Sequence, residues 1–309
     1  MRNASSLTGH SESHEFLGTK VAGESNPTLR RRELGYLLRK LRIDRGLSVD
    51  DVTKRLLFSA TKVSRLETGR AGASPRDIRD LCVLYEIADP GERERLMSLA
   101  REGKQRAWWQ ELALPYATYV GLEAEATSLS AYNSDIISGL LQVEGYARAI
   151  LEVADPPLDP VAVEQRIEAR VKRQDILEQD IGPVLHCILD EGALHRPIGG
   201  SAVMQDQLTR IVEVAALPKV TFQLIPLTIG AHPALDSTFV IIEFDEPMVN
   251  DVIYVEGAVG NIYLESATDL ERYRRIFSRL RVIALSPEES IAMVARISEA
   301  YEALPKSSE

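Results

Sequence analysis

Between positions 60 and 66 the chain reads Ala-Thr-Lys-Val-Ser-Arg-Leu. Val63 and Leu66 recur at helical spacing, so a helix that buries them turns Ala60, Thr61, Lys62, Ser64 and Arg65 outward. Those outward groups suit a DNA major groove. An arginine donates two hydrogen bonds to guanine, threonine and serine bond several base edges, and the methyl groups of alanine and threonine meet a thymine methyl. Lys62, a flexible point charge, suits a phosphate.

The elements around this run would hold it in place. Ser48 and Asp51 have the spacing of a capping box, so a helix carrying Val52 and Leu56 on its inner face should start there. Ser59 can cap the second helix, and Gly69 tolerates the left-handed conformation that ends it. Upstream, 29–45 carries an apolar stripe at Leu34, Leu37, Leu38 and Leu41 and is closed by Gly46. Downstream, Ser74-Pro75-Arg76-Asp77 is a helix start with Ile78, Leu81, Cys82 and Tyr85 as its core face, and Asp89-Pro90-Gly91-Glu92 opens a helix running to about Arg101.

With these helices in order, residues 29–101 resemble the five-helix DNA-binding domain of Xre-type (lambda-repressor-like) regulators. The resemblance rests on Leu38-Arg39, Leu41-Arg42, Gly46-Leu47-Ser48, the run from Val63 to Glu67, and Gly69-Arg70. It implies base contacts from Ser59, Ala60, Thr61, Ser64 and Arg65, and phosphate contacts from Ser48, Lys54, Lys62 and Arg70. Two positions depart from the family pattern. Val49 stands where many members place a phosphate-bonding glutamine, and Leu57 where many place glycine. A leucine forced to positive φ costs about 1–2 kcal/mol, so a different turn is expected at Leu57.

Charge supports the same region independently. From Thr28 to Arg79 there are 14 Lys and Arg against 6 Asp and Glu, a balance of +8 in a chain of net −10, which leaves −18 elsewhere. A basic segment alone is ordinarily a solvated face, but here charge and motif coincide. Affinity for DNA follows the local patch, because charges beyond a Debye length of about 8 Å are screened. The 309 residues, 45% of them apolar, suffice for two domains with separate cores. No run of apolar residues is long enough to span a membrane, and the N-terminus lacks a basic-then-apolar signal pattern, so a cytoplasmic protein is expected. Cys82 on a helix face and Cys187 in a β-branched run predict buried, reduced thiols. Residues 1 to about 27, rich in Ser, Gly, Glu and His and ending at Asn26-Pro27, predict a disordered segment.

Beyond residue 104 the pattern changes. Trp108 to Leu112 and Leu122 to Ser138 read as helical, and Gly139 to Leu151 as a turn with a short helix. After the proline-rich break at 155–160, Val161 to Gln179 resumes a helix. Five short runs then read as strands: 184–189, 220–227, 237–244, 252–256 and 261–265. With a helix at 205–216 between the first two, they predict a parallel crossover followed by an antiparallel meander. Helices at 267–284 and 286–304 close the chain. The stretch from about Trp108 to Leu285 resembles the antitoxin-like C-terminal domain of actinobacterial Xre-type regulators. Tyr119 to Glu125, Gly139 to Gln142, Gly145 to Arg148, Asp190-Glu191 with Leu194 to Pro197, Gly230 to Pro233, Tyr254 to Glu256 and the Arg-rich helix at 272–281 carry it. It implies regulation and a small protein partner, and no reaction.

Asp190, Glu191, His195, His232, Asp236, Glu243 and Glu256 are the material from which an enzyme would be built. None has the short His/Cys spacing of a metal site, and no nucleophile elbow, phosphate loop or dinucleotide fingerprint occurs. The simplest reading makes His232 a loop histidine bonded to backbone and Glu256 a solvent-facing strand residue. Trp108, Trp109, Tyr116, Tyr119, Tyr132 and Tyr146 read first as helix packing, with an interface or a small-molecule pocket as alternatives. Arg272, Arg274, Arg275, Arg279 and Arg281 read as pairing with nearby carboxylates. The expected architecture is therefore a five-helix DNA-binding domain at 28–103, an α+β regulatory domain with a mixed sheet at 104–285, and a C-terminal helix and tail at 286–309. The expected function is a homodimeric, sequence-specific transcription regulator without cofactor, metal or catalysis, binding double-stranded DNA and sensing a protein partner or ligand. The alternative is an antitoxin-like protein that sequesters a small partner and autoregulates its operon.

Overall fold

The structure, a computed structural model, describes residues 26–112, 114–245, 249–257 and 260–303. The expected disordered segment thus lies outside the described residues as far as position 25, as does the tail from 304. Asn26 and Pro27 belong to the fold instead of ending that segment. Asn26 caps α1 (Pro27–Asp44), its side chain accepting from the Thr28 and Leu29 amides. Its Nδ2 donates to the Gly121 carbonyl at 2.9 Å, a bond to the second domain that no local pattern could announce.

The helix-turn-helix follows the predicted caps. α2 (Val49–Leu56) opens with the Ser48–Asp51 capping box, and α3 (Ala60–Glu67) with the Ser59 hydroxyl accepting from the Lys62 amide. Leu57 is a correction. It adopts φ 55°, ψ 32°, the left-handed conformation that was expected to be avoided, and its side chain is 91% exposed. The reversal there leaves Leu57 in solvent while Phe58 packs against the helical core. α4 (Pro75–Leu84) starts with a Ser74–Asp77 capping box, and α5 (Pro90–Glu102) with Asp89. Leu34, Leu38, Val52, Val63, Leu66, Ile78, Leu81, Tyr85 and Leu96 meet at the centre of the five.

In the second region α6 (Trp108–Glu111) and α7 (Ala117–Glu123) precede β1 (Ser128–Asn133). Residues 122–138, expected to be helical, therefore hold a strand, and one at the centre of the sheet. Ser-Leu-Ser-Ala-Tyr-Asn has weak intrinsic strand preference. It is extended because partners lie on both sides, parallel β2 (Val184–Asp190) and antiparallel β4 (Phe239–Glu243). Between β1 and β2 run α8 (Glu144–Glu152) and α9 (Pro160–Gln174), the latter ending earlier than predicted in a 3-10 turn at Asp175–Leu177. α10 (Gly192–His195) and α11 (Gly200–Ala215) lead to β3 (Val220–Ile225). β4, β5 (Val252–Gly257) and β6 (Gly260–Leu264) form the predicted meander. The six strands run in the order β3-β2-β1-β4-β5-β6 among the described residues, a mixed sheet.

Both faces of this sheet are covered. Leu129, Ala131, Leu185, Cys187 and Leu189 pack with Leu208 and Ile211 of α11 and with Val294 and Ile297 of α13 (Pro287–Glu302). Tyr132, Ile188, Ile241 and Ile253 face α12 (Ala267–Ile283) through Phe277 and Leu280. α13 thus shares the main core of the second domain: its Tyr301 hydroxyl donates to the Leu194 carbonyl at 3.0 Å. Cys82 and Cys187 are free and buried, and burial pushes the Cys187 thiol up to about 12.

The two regions touch along α1. At Gly121 a Cβ would stand 2.3 Å from Thr28 Oγ1, so α7 approaches α1 only because that position has no side chain. Nearby, Arg32 pairs with Glu265 at 2.8 Å.

Candidate nucleic-acid interface

α3 presents the predicted surface. Ser59, Ala60, Thr61, Ser64 and Arg65 are all exposed, and Val63 and Leu66 are buried beneath them. Arg65 makes no ion pair among the described residues, so its five donors stay available. A fork holds the helix from behind. Arg42 donates from Nε to Glu67 Oε1 at 2.6 Å and from Nη2 to Glu67 Oε2 at 2.9 Å, while its Nη1 donates to the Leu47 carbonyl at 2.8 Å. This bidentate pair joins the end of α1, the turn before α2 and the end of α3. The hydrogen bonds to Glu67 raise the Arg42 guanidinium above its ordinary value. Gly69 at φ +66° then ends the helix as predicted.

The four phosphate candidates divide. Lys54 is exposed on α2 with no ion pair among the described residues. Ser48 is committed internally: its hydroxyl donates to Asp51 Oδ2 at 2.6 Å and its amide donates to the same oxygen. Lys62 donates from Nζ to Asp77 Oδ1 at 2.6 Å and lies 3.7 Å from the centre of the Phe58 ring. Burial alone would raise the Asp77 carboxyl, but Lys62 and Ser74 together hold it below its usual value. Arg70 leans toward the second domain, donating to the Tyr263 carbonyl at 3.5 Å with its guanidinium 5.9 Å from the Tyr263 ring. Lys62 and Arg70 must leave these partners to reach a phosphate.

Two exposed cations beside α3 escaped prediction. Arg76, second in α4 and next to Asp77, has a side chain 85% exposed. Arg79 is exposed one turn further on. The signal was present in Ser74-Pro75-Arg76, because a capped start with proline first fixes the second position, Arg76, in the opening turn with its cation pointing out of the helix. Its relation to α3 emerges only from the Lys62–Asp77 bridge.

The second domain places its polar residues otherwise. Arg173 donates to Glu123 from Nε at 2.7 Å and from Nη2 at 2.8 Å, and Glu123 is 1% exposed. Burial would lower the Arg173 guanidinium, and the Glu123 carboxylate outweighs it and raises it. His232 accepts from the Ala234 amide at Nδ1, as a loop histidine should, while its Nε2 lies 3.4 Å from the Tyr132 hydroxyl and 3.5 Å from Asp190 Oδ2. Glu191 bridges the Leu227 amide and His195. These acids serve loop geometry, and no group of three or more His, Cys, Asp or Glu among the described residues is arranged to hold a metal ion. Glu256 is exposed on β5. Trp109, Tyr116, Tyr119 and Tyr146 pack in the core as expected, whereas Tyr132 sits on β1 against α12. On α12, Arg274 pairs with Glu243 and Asp251, and Arg275 with Glu271, but Arg272, Arg279 and Arg281 have no ion pair among the described residues. No helix among the described residues is long and apolar enough to cross a membrane.

Comparison with known proteins follows the same division of the chain. No curated protein and no solved structure matches it. A helix-turn-helix domain family matches residues 33–96, which contain α2, α3 and the Arg42–Glu67 fork, and so supports DNA binding by this part of the chain. Residues 116–296, from the residue before α7 into α13, match a domain of unknown function, DUF5753. That match covers more than half of the sequence, and the chain belongs to the DUF5753 family, carrying a helix-turn-helix domain ahead of it.

Proposed function

We propose that this protein is a sequence-specific transcription regulator of the Xre type, with a lambda-repressor-like head, that binds double-stranded DNA in the cytoplasm as a homodimer. In this reading the second domain catalyses no reaction and instead answers to a protein partner or ligand. The observation that carries it is the outer face of α3, where Arg65 stands exposed with no ion pair among the described residues, beside Thr61 and Ser64 on a helix braced by Arg42 and Glu67. Ser59, Ala60, Thr61, Ser64 and Arg65 read bases. Lys54 holds phosphates from the start, and Lys62 and Arg70 exchange their internal partners for phosphates on binding.

The test begins with selection of a preferred site from random duplexes by the full chain. Arg65→Ala then costs about 1–3 kcal/mol at that site and relaxes one base position, while Lys62→Ala weakens all sequences alike and flattens the salt slope by about one unit. Unchanged affinity and selectivity in Arg65→Ala would remove α3 from the groove. A single head reads few base pairs, so two copies on half-sites one helical turn apart are expected. Sedimentation of the protein on its selected duplex should give two chains per site, and one chain at saturation refutes the dimer.

A further inference from the structure

Four residues of α1, Tyr36, Arg39, Lys40 and Ile43, recur at the spacing of one helix face, and all four are exposed. That face lines an open cavity of about 370 Å³, whose other walls are the end of α3, at Glu67 and Thr68, and the second domain, at Asn250 and Glu265. Clefts of this size between domains are where small ligands commonly bind. The walls are tied together. Arg32 of α1 pairs with Glu265 at 2.8 Å, and Asn250 adjoins Asp251, whose carboxylate accepts from the Phe244 amide at 3.0 Å and from Arg274.

Charge sharpens the point. Of the acids lining the cavity, Glu67 is occupied by Arg42 and Glu265 by Arg32, while Arg39, Lys40 and Asp44 make no ion pair among the described residues. The uncommitted set is two cations against one acid. Along the helix these cations are flanked by apolar surface on either side, Tyr36 at 36% exposure and Ile43 at 55%. A DNA backbone would use the cations but not the tyrosine and isoleucine, and a cavity of this size does not admit a duplex.

We infer that this interdomain cleft binds a small organic anion carrying an apolar ring: its carboxylate accepts from Arg39 and Lys40, and its ring lies against Tyr36 and Ile43. The volume admits about a dozen heavy atoms, given a water's share of about 30 Å³, which is the size of a fused two-ring carboxylate. Such a ligand would touch the second domain and, at Glu67, the fork that braces α3. The inference rests on the ligand reading of the protein and gives that ligand a place. The DNA reading stands or falls separately, because the measurement contains no DNA.

The test is titration of the full chain, isotope-labelled, with 2-naphthoate, followed by NMR; acetate is the ringless control and 2-naphthylmethylammonium the charge-reversed one. Naphthoate should shift the resonances of Tyr36, Ile43, Thr68 and Asn250 with Kd of about 0.1–1 mM, and each control should bind at least about tenfold more weakly. Tyr36→Ala should weaken naphthoate about fivefold, and Arg39→Gln with Lys40→Gln about tenfold. Asn250→Trp fills the cleft from its second-domain wall with every α1 charge retained, and should abolish binding; the dispersion of its own spectrum reports that it is folded. Unchanged affinity in a folded Asn250→Trp protein would overturn this site while leaving a ligand elsewhere. The proposal fails equally if naphthoate up to about 10 mM shifts nothing in the cleft, if it shifts only Lys54 and Arg65 on the DNA-binding face, or if either control binds as well as naphthoate.

Discussion

Arg65 and Arg173 carry the same guanidinium to opposite ends. On α3 the charge stands in solvent with no ion pair among the described residues, on a helix fixed from behind by another arginine, Arg42. In the second domain Arg173 lies in the core and both of its forked bonds end on one buried glutamate. A basic residue becomes a binding group only where the fold withholds its counter-charge and braces its backbone. Where the counter-charge is supplied, the same residue becomes a structural strut. Lys62 stands between the two cases, half exposed and paired with Asp77 across the α3–α4 junction.

The strut gives the largest expected effect. Glu123→Ala leaves Arg173 charged and buried without compensation, and should cost about 3–5 kcal/mol in denaturant unfolding of the second domain. Replacing both partners, with Glu123→Leu and Arg173→Met, should recover most of that loss, because a well-packed apolar pair avoids desolvation. A double variant as unstable as the single would mean that the pair supplies more than charge balance.

The intermediate case comes next. Asp77→Ala removes the capping arm to Ser74 and the bond to Lys62, and should cost about 1–2 kcal/mol of stability in the DNA-binding head. Because the folded Asp77 carboxyl titrates below its unfolded value, its contribution is present above about pH 4 and is lost as pH falls through the folded value. The melting difference between the native protein and Asp77→Ala should therefore close below about pH 4. The same variant frees Lys62 from its internal partner and should tighten DNA binding at every sequence alike, because the exchange of Asp77 for a phosphate no longer has to be made.

The smallest effect tests the turn that sets the angle between α2 and α3. Leu57 holds a left-handed backbone with its side chain in solvent, so Leu57→Gly removes strain and loses almost no packing. A stabilisation of about 0.5–1 kcal/mol is expected in thermal unfolding, the relieved strain exceeding the extra chain entropy of glycine. A loss of stability would show that Leu57 makes contacts that its exposure conceals.

The sequence by itself determined what depends on neighbours close along the chain. The caps at Ser48, Ser59, Ser74 and Asp89, the buried stripe of Val63 and Leu66, and the outward set ending in Arg65 are all set by spacings of three or four residues, the geometry of one helical turn. The five β-branched runs announced their strands for the same local reason. Only the tertiary structure decided the rest. β1 became a central strand because β2, more than fifty residues later, and β4 pair with both of its edges, against weak local preference. Asn26 became a cap and an interdomain contact because Gly121 waits across the interface. Whether Lys62, Arg65, Arg70, Arg170 or Arg173 is free, borrowed or buried was equally illegible, since the deciding partners are set by three-dimensional packing and Coulomb attraction acts through space.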